Sequence, residues 1–153
     1  MIDNVNYFGM LMSELKMPNP FMVLAHKFKS MVLRALRDQG IDIVPMHIKS
    51  LFCVNRLESC TAVDIAEGLD RDKAQITRLI KELIDKELVR KEPNPNDKRS
   101  QLIVLTEHGR ATLNKVLSIE ESIIEKMHQG MSQEQLDQFD QLSRQMVENL
   151  QKS

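Results

Sequence analysis

The sequence predicts a mainly α-helical protein that carries one small β-hairpin. Apolar residues recur at helical spacing along most of the 153 residues, and only 5 glycines and 5 prolines are present to interrupt helices. The pattern changes between residues 88 and 105, where two short runs of strand-forming residues enclose a polar segment. The predicted order is therefore four helices, a hairpin and two more helices.

The N-terminal part of the chain predicts one long helix. Asn19 is expected to cap this helix and Pro20 to occupy its first turn, so that it covers residues 20–38 and ends at Gly40. Its apolar positions are Phe21, Leu24, Ala25, Phe28, Val32, Ala35 and Leu36. A separate short helix from Tyr7 to Leu15 is also expected.

Three more helices follow at short intervals. Pro45 opens the second, whose apolar face is expected to hold Ile48, Leu51, Phe52 and Asn55. The segment 61–64 has the pattern of a capping box for a third helix that ends near Leu69, and the segment 72–75 starts a fourth in the same way. The apolar side of the fourth helix consists of Ile76, Leu79, Ile80, Leu83 and Ile84.

A β-hairpin with a long tip is predicted next. Residues 88–91 and 101–105 are expected to form its strands, and residues 92–100 its polar, proline-containing tip. Two short helices about three residues apart, followed by a hairpin, make a winged helix-turn-helix. Residues 41–106 are therefore predicted to form a winged helix-turn-helix lobe.

The helices outside this lobe carry more apolar residues than packing against the lobe alone would bury. Thr106 is expected to cap a helix that ends at Gly130, and a last helix starts at Ser132. Their apolar positions are Leu113, Val116, Leu117, Ile123, Ile124 and Met127, then Leu136, Phe139, Leu142, Met146, Val147 and Leu150. We expect segments 1–40 and 107–153 to supply the dimerisation helices of a homodimer, with an intramolecular bundle as the alternative.

The charge distribution indicates where an anionic partner would bind. The net charge is −1, but residues 71–100 carry 9 Lys and Arg against 6 Asp and Glu, and both flanking segments are net acidic. Such a basic segment is typical of a localised anion-binding surface, although a local excess of three charges also arises by chance.

The helix over residues 72–86 has the composition of a DNA-reading helix. Its polar side consists of Lys73, Gln75, Thr77, Arg78 and Lys81. Gln pairs with adenine, Arg and Lys pair with guanine, and Thr reaches phosphate or a thymine methyl group. The alternative is the charged outer face of any surface helix.

The tip of the hairpin adds two further cations, Lys98 and Arg99. A flexible cationic tip suits the minor groove, where arginine follows narrow width and strong negative potential. Taken alone, the same residues are also compatible with an ordinary solvated turn.

Several successive stretches resemble the MarR family. The family pattern is a helix-turn-helix, an Asp-x-Arg-Ser/Thr wing tip and a Leu-Thr-x-x-Gly exit, and all three occur in that order. They lie in residues 62–70, 75–83, 88–90, 96–100 and 105–109. The resemblance spans residues 60–110 by motif, and it implies a dimeric transcription regulator whose flanking helices interlock.

The same resemblance implies roles for individual residues. Arg99 matches the wing arginine that enters the minor groove, and Asp97 matches the acid that holds this arginine by a charge-assisted hydrogen bond. Ser100 completes the tip motif, and Thr77 and Arg78 match the end of the base-facing helix.

A ligand pocket is a further implication, because regulators of this kind often respond to small aromatic or lipophilic acids or to oxidants. His26, Lys27 and His47 lie on helices that would face such a pocket and suit an anion, and Met46 would supply a soft apolar wall. The alternative is that the methionines fill the core and that the three basic groups are ordinary surface or paired side chains.

The two cysteines predict a reducing environment and one candidate redox residue. Cys53 is expected to be buried and inert, whereas Cys60 precedes a helix N-terminus that would lower its pKa. Seven residues, about two helical turns, separate them, so no bridge between them is expected.

The sequence therefore predicts a cytoplasmic homodimeric regulator, in the first instance a repressor, that binds a pseudo-palindromic site in double-stranded DNA and is released by a small lipophilic or phenolic effector. A winged-helix adaptor that binds proteins is the alternative. The four histidines lack metal-binding spacing and no catalytic motif is found, so no metal, cofactor or enzyme activity is predicted. The sequence shows no export signal. It also lacks an apolar run of about 20 residues, so no membrane association is predicted.

Overall fold

The computed structural model describes residues 20–152, and its elements follow the predicted order. The helices and strands in this part of the chain are α1 (Pro20–Asp38), α2 (Pro45–Arg56), α3 (Ala62–Leu69), α4 (Lys73–Asp85), β1 (Val89–Pro93), β2 (Gln101–Leu105), α5 (Glu107–His128) and α6 (Gln133–Gln151). The two strands pair antiparallel, which confirms the mainly helical fold with one hairpin. The expected helix from Tyr7 to Leu15 and the Asn19 cap lie outside the described residues.

The described chain forms two compact units that divide after Glu120. The first unit contains α1 to α4, the hairpin and the first part of α5, and the second contains the rest of α5 and α6. In the first unit α2 packs on α3 and α4, while β1 contacts α4 and β2 contacts both α2 and α3. Its most deeply buried apolar side chains are Leu36, Leu51, Ile65, Ile76, Leu83, Leu88, Ile103, Leu113 and Val116.

The helix ends depend on local capping bonds that the sequence had indicated. Gly40 has a φ of +72°, the left-handed conformation that glycine adopts without steric cost, and it ends α1 as predicted. At the start of α3, the Asp64 carboxylate accepts from the Thr61 amide at 2.7 Å, and the Thr61 hydroxyl accepts from the Asp64 amide at 3.4 Å. Hydrogen bonds from the Thr61 hydroxyl and amide lower the pKa of Asp64.

The connection between α3 and α4 is a tight turn. Asp70 has a φ of +50°, and the Arg71 amide donates to the Ala66 carbonyl at 3.0 Å. Asp72 then caps α4, because its Oδ1 accepts from the Gln75 amide at 2.9 Å. The turn therefore fixes the direction in which α4 leaves α3.

The hairpin is longer than predicted at its first strand. Its register runs from Val89 opposite Leu105 to Pro93 opposite Gln101, so the tip begins after Pro93. Proline is tolerated there because a strand end does not require its missing N–H. On the other side of β2, the Ile103 amide donates to the Cys60 carbonyl at 2.7 Å, which ties the segment before α3 to the hairpin.

Some predicted apolar positions are exposed. On α2, Asn55 was predicted to lie on the apolar face but is exposed, and Val54 is buried instead. Phe21 on α1 is 60% exposed, and Leu117 and Ile124 on α5 are also exposed. Helical periodicity identifies an apolar side, but only the neighbouring elements decide which part of that side is covered.

The first turn of α5 lies directly against the backbone of Leu88. The Thr106 amide donates to the Leu88 carbonyl at 3.2 Å, and the Thr106 hydroxyl donates to the Glu87 carbonyl while it accepts from the Gly109 amide. A Cβ atom on Gly109 would collide with the Leu88 carbonyl oxygen and lie 2.8 Å from its carbon. The glycine is therefore required by this close approach.

The cysteines differ from expectation in both burial and pKa. Cys60 is 1% exposed, and its burial, together with the neighbouring Cys53 thiol, raises its pKa to about 12. The expected lowering by the helix N-terminus is therefore outweighed by desolvation. Cys53 is only half-buried, and the thiols are neighbours because the chain leaves α2 at Arg56 and turns back before Cys60.

Gly109→Ala is expected to destabilise the protein by about 1–3 kcal/mol, because the added methyl group meets backbone atoms that cannot rotate away. The matched control is Gly68→Ala in α3, where the new Cβ meets only the Cys53 Sγ at 3.4 Å. Alanine there adds up to about 1 kcal/mol of helix propensity. Urea denaturation measures both, and equal stabilities would contradict the proposed close approach.

Iodoacetamide at pH 8 is expected to label Cys53 quickly and Cys60 only after unfolding, because the buried Cys60 thiol stays protonated. Its folded-state pKa lies above the ordinary value of 9.0, so its contribution to stability is complete below pH 9 and is lost as the pH rises towards 12. A Cys53→Ser variant isolates Cys60. Rapid labelling of that variant in its native state would contradict the burial.

Candidate nucleic-acid interface

The polar side of α4 faces solvent as predicted. Ile76, Leu79, Ile80 and Leu83 are buried on the opposite side, so the helix is attached to the first unit through its apolar side. The predicted DNA-contacting side chains Lys73, Gln75, Thr77, Arg78 and Lys81 are all exposed. They therefore form one accessible surface, which we call the α4 face.

The cations of the α4 face have no counter-ion among residues 20–152. Lys73, Arg78 and Lys81 take part in none of the ion pairs there, whereas Lys86, Arg90 and Arg144 are each paired with a carboxylate. The Thr77 hydroxyl donates to the Lys73 carbonyl at 2.8 Å and keeps its oxygen available as an acceptor. Unpaired cations retain their full attraction for phosphate.

A buried histidine supports α4 from below. His47 is 3% exposed; its Nδ1 accepts from the Val44 amide at 3.3 Å, so its Nε2 carries the proton that is shared with Glu82 at 3.1 Å. This contact joins the start of α2 to the middle of α4. His47 was predicted to lie in an effector pocket. In the structure it contacts Glu82 of α4 instead, because the first turn of α2 lies towards α4.

The wing tip, residues 94–100, presents two exposed cations. Lys98 and Arg99 are both exposed, and neither side chain has an ion-pair partner among residues 20–152. Asp97 was expected to hold the Arg99 guanidinium, but its Oδ1 accepts from the Arg99 backbone amide at 2.9 Å. An aspartate bonds readily to the backbone two residues later, so it shapes the turn and leaves the guanidinium free.

Ser100 also shapes the tip. Its hydroxyl accepts from the Asn94 side-chain amide at 2.8 Å, and its backbone amide donates to the Asp97 carbonyl at 3.1 Å. These bonds close the loop at its base, and Ser100 is half-buried there. Its first role is therefore to order the loop that carries Arg99.

The structure adds two cations that the sequence analysis did not assign. Arg71 joins Gln75 and Arg78 along a groove of about 330 Å³, and Lys91 on β1 faces Lys81 across a cleft of about 550 Å³. Both residues fall in the basic segment 71–100. Strand alternation alone did not show on which side of the hairpin Lys91 lies.

The most apolar of the larger cavities lies between α1, α2 and α5. Its volume is about 350 Å³, and it is lined by Phe28, Lys29, Val32, Leu33, Pro45, Met46, Ile48, Lys49, Phe52 and Glu120. Of the residues predicted for an effector pocket, Met46 lines this cavity, whereas His26 and Lys27 do not. Desolvation raises the pKa of Glu120.

Two other properties concern only the part of the chain that the structure describes. Residues 20–152 contain no group of three or more His, Cys, Asp or Glu side chains arranged to hold a metal ion. None of the helices in this range is both long and apolar enough to cross a lipid bilayer.

Comparison with known proteins identifies relatives of the winged lobe and of the fold. Residues 45–101 match the MarR family. The chain is 39% identical to the Multiple antibiotic resistance protein MarR of Escherichia coli over 72 residues, which cover 46% of this chain and 49% of that protein. The chain thus matches about half the length of this curated relative.

Solved structures share the fold over a longer range. The structure of a MepR–DNA complex from S. aureus matches with a TM-score of 0.69 at 22% identity. The match covers 85% of this chain and 93% of the MepR chain. YusO from Bacillus subtilis matches with a TM-score of 0.70 at 21% identity, and the match covers 92% of this chain and 96% of YusO. These similarities show that the chain has the winged-helix fold of these proteins, and that its winged lobe, residues 45–101, is similar to the MarR family.

Proposed function

We propose that this protein is a sequence-specific DNA-binding transcription regulator that acts as a homodimer. The observation that carries the proposal is the α4 face together with the wing tip. Lys73, Arg78, Lys81, Lys98 and Arg99 are exposed and lack counter-ions among residues 20–152. Duplex DNA supplies the density of negative charge that such a surface attracts.

In this proposal α4 enters the major groove. An α-helix fits the width of that groove, and side chains near its N-terminal turns reach the base edges. Gln75 and Arg78 then read bases, while Lys73 and Lys81 bind phosphates on the two sides of the groove. Arg71 and Lys91 add phosphate contacts at the edges of the same surface.

The wing tip serves the adjacent minor groove. The bonds of Asp97 and Ser100 order the loop backbone, so the Arg99 side chain is presented without an internal partner. A narrow minor groove has a strong negative potential that favours an inserted arginine. The wing therefore extends the contact beyond the bases that α4 reads.

Proteins of the same fold support this assignment. S. aureus MepR has been solved in complex with DNA, and the structure of Bordetella bronchiseptica BpsR concerns regulation of its DNA binding by 6-hydroxynicotinic acid. By analogy, the apolar cavity that Met46 lines is the proposed site of a small lipophilic effector. Repression is the simplest outcome, because a bound dimer excludes other proteins from the same DNA.

The homodimer is proposed from the apolar side of α6. This helix has no buried residue, and Phe139, Leu142, Met146, Val147 and Leu150 are between 50% and 78% exposed on one side of it. Such a continuous apolar surface is rare on a soluble monomer and is typical of an interface. A two-fold dimer would place two α4 helices at half-sites about 34 Å apart.

Arg99→Ala is expected to weaken binding to operator duplex by about 1–3 kcal/mol, and log affinity should fall steeply with log salt concentration. Arg110→Ala on α5 is the matched control, because it removes the same exposed charge outside the α4 face and wing tip. Fluorescence anisotropy with duplex fragments selected from the source genome measures both. Salt-independent binding, or no binding at low salt, would favour a protein-binding adaptor instead.

Met146→Asp is expected to dissociate the dimer at micromolar concentration, because it places a charge in the middle of the apolar side of α6. Gln141→Asp is the control on the opposite side of the same helix. Sedimentation velocity distinguishes the two forms. A Met146→Asp protein that sediments like the unaltered chain would rule out α6 as the interface.

A further inference from the structure

The two cysteines of the chain meet at the corner between α2 and α3. Cys53 lies near the end of α2, and Cys60 directly precedes Thr61, the N-cap of α3. Both sulfurs lie against the first turn of α3, with Cys53 Sγ 3.9 Å from the Asp64 carbonyl oxygen and Cys60 Sγ 3.7 Å from the Thr61 carbonyl oxygen. Both thiols are free, and they interact with each other.

The pair is reached from solvent through one of its members. Cys53 is half-buried and lines an open depression of about 620 Å³ between α2 and α3. Cys60 is 1% exposed and contributes nothing to that lining. A thiol is a weak hydrogen-bond donor, and both sulfur–oxygen contacts are long, so no strong bond holds either proton in place.

The charges around the depression favour thiolates. Lys49 and Arg56 lie four residues before and three residues after Cys53, so they share its side of α2. Neither cation takes part in an ion pair within residues 20–152. Of the two acids in the lining, Asp64 accepts two hydrogen bonds at the α3 cap, and Asp70 lies at the other end of that helix.

The number of ligands limits the kind of ion that fits this corner. Within residues 20–152 no three His, Cys, Asp or Glu side chains are arranged to hold a metal ion, so the four protein ligands of a structural zinc site are not available there. Thiolates select soft ions such as Cu(I). A soft monovalent ion is satisfied by two sulfur ligands on opposite sides of it.

We propose that Cys53 and Cys60 together bind one soft monovalent metal ion, of the class of Cu(I) and Ag(I). Each thiol releases its proton to solvent and forms one metal–sulfur bond, so two neutral thiols and one ion of charge +1 give a complex of charge −1 and two protons. No electron is transferred. A coordinated thiol is deprotonated even where burial alone would keep it neutral.

The bound ion would connect three parts of the winged lobe. It joins the end of α2 to the segment that precedes α3. The carbonyl of Cys60 in that segment accepts from the Ile103 amide at 2.7 Å, so the same residue is attached to β2. The ion therefore cross-links the corner of the helix-turn-helix at a point that is already tied to the hairpin.

The test is a titration of the fully reduced chain with silver nitrate in chloride-free solution, without DNA, so its outcome does not depend on the proposed function. At about pH 6, where free thiols are protonated, a pH-stat should record two protons released for each ion bound, up to one ion per chain. Binding should tighten as the pH rises, because protons compete for the same sulfurs. Release of one proton or none would overturn the proposal.

Variants locate the ion. Cys53→Ser and Cys60→Ser should each weaken silver binding at least about a hundredfold, because the second bond is then no longer intramolecular. Cys53→Ser changes the half-buried position, so it is the variant less able to disturb folding, and it keeps Cys60 and all 10 methionines as a measure of binding to single sulfurs.

Met31→Leu is the matched control, since it removes an exposed sulfur from α1 and should leave the affinity unchanged. Retained affinity in Cys53→Ser, or an equal loss in Met31→Leu, would overturn the proposal. Iodoacetamide labelling in denaturant then counts the thiols. Two thiols lost without bound silver would show a disulfide and would also overturn it.

Discussion

The candidate interface depends on the attachment of α4 by its apolar side. Burial of a large aliphatic side chain contributes about 1.5–3 kcal/mol, whereas an exposed ion pair contributes about 0–1 kcal/mol. Ile76 and Leu83 are almost completely buried, and Asp72 and the Leu88 amide fix the two ends of the helix. Hydrophobic packing therefore sets its orientation, and the cations on the other side remain available for an external anion.

The same short segment joins the recognition helix to the rest of the chain. The Leu88 amide ends α4 by donating to Leu83 at 2.9 Å, and the Leu88 carbonyl receives the amide of Thr106 at the start of α5. Gly109 allows the two backbones to approach. Because these are backbone contacts, the start of α5 cannot shift relative to the end of α4 without breaking them.

Local bonds account for what the sequence predicted well. The caps at Thr61 and Asp72 and the left-handed Gly40 each depend on residues within four positions, so their chemistry is visible in the sequence. Because these predicted caps also occur in the structure, the predicted element boundaries lie within about two residues of the observed ones. Asp97 shows the limit of this approach, because its nearest donor is a backbone amide of the same loop and not the guanidinium two residues away.

The sequence by itself determined the order of the helices, the hairpin and the cationic side of α4, since periodicity and capping are properties of neighbouring residues. Only the tertiary structure decided that His47 contacts α4 and that Cys60 is a buried thiol with a raised pKa. Each of these depends on elements far apart in the chain, whose packing sets burial, dielectric and available partners. Burial is a property of the assembled core, and no stretch of sequence specifies it alone.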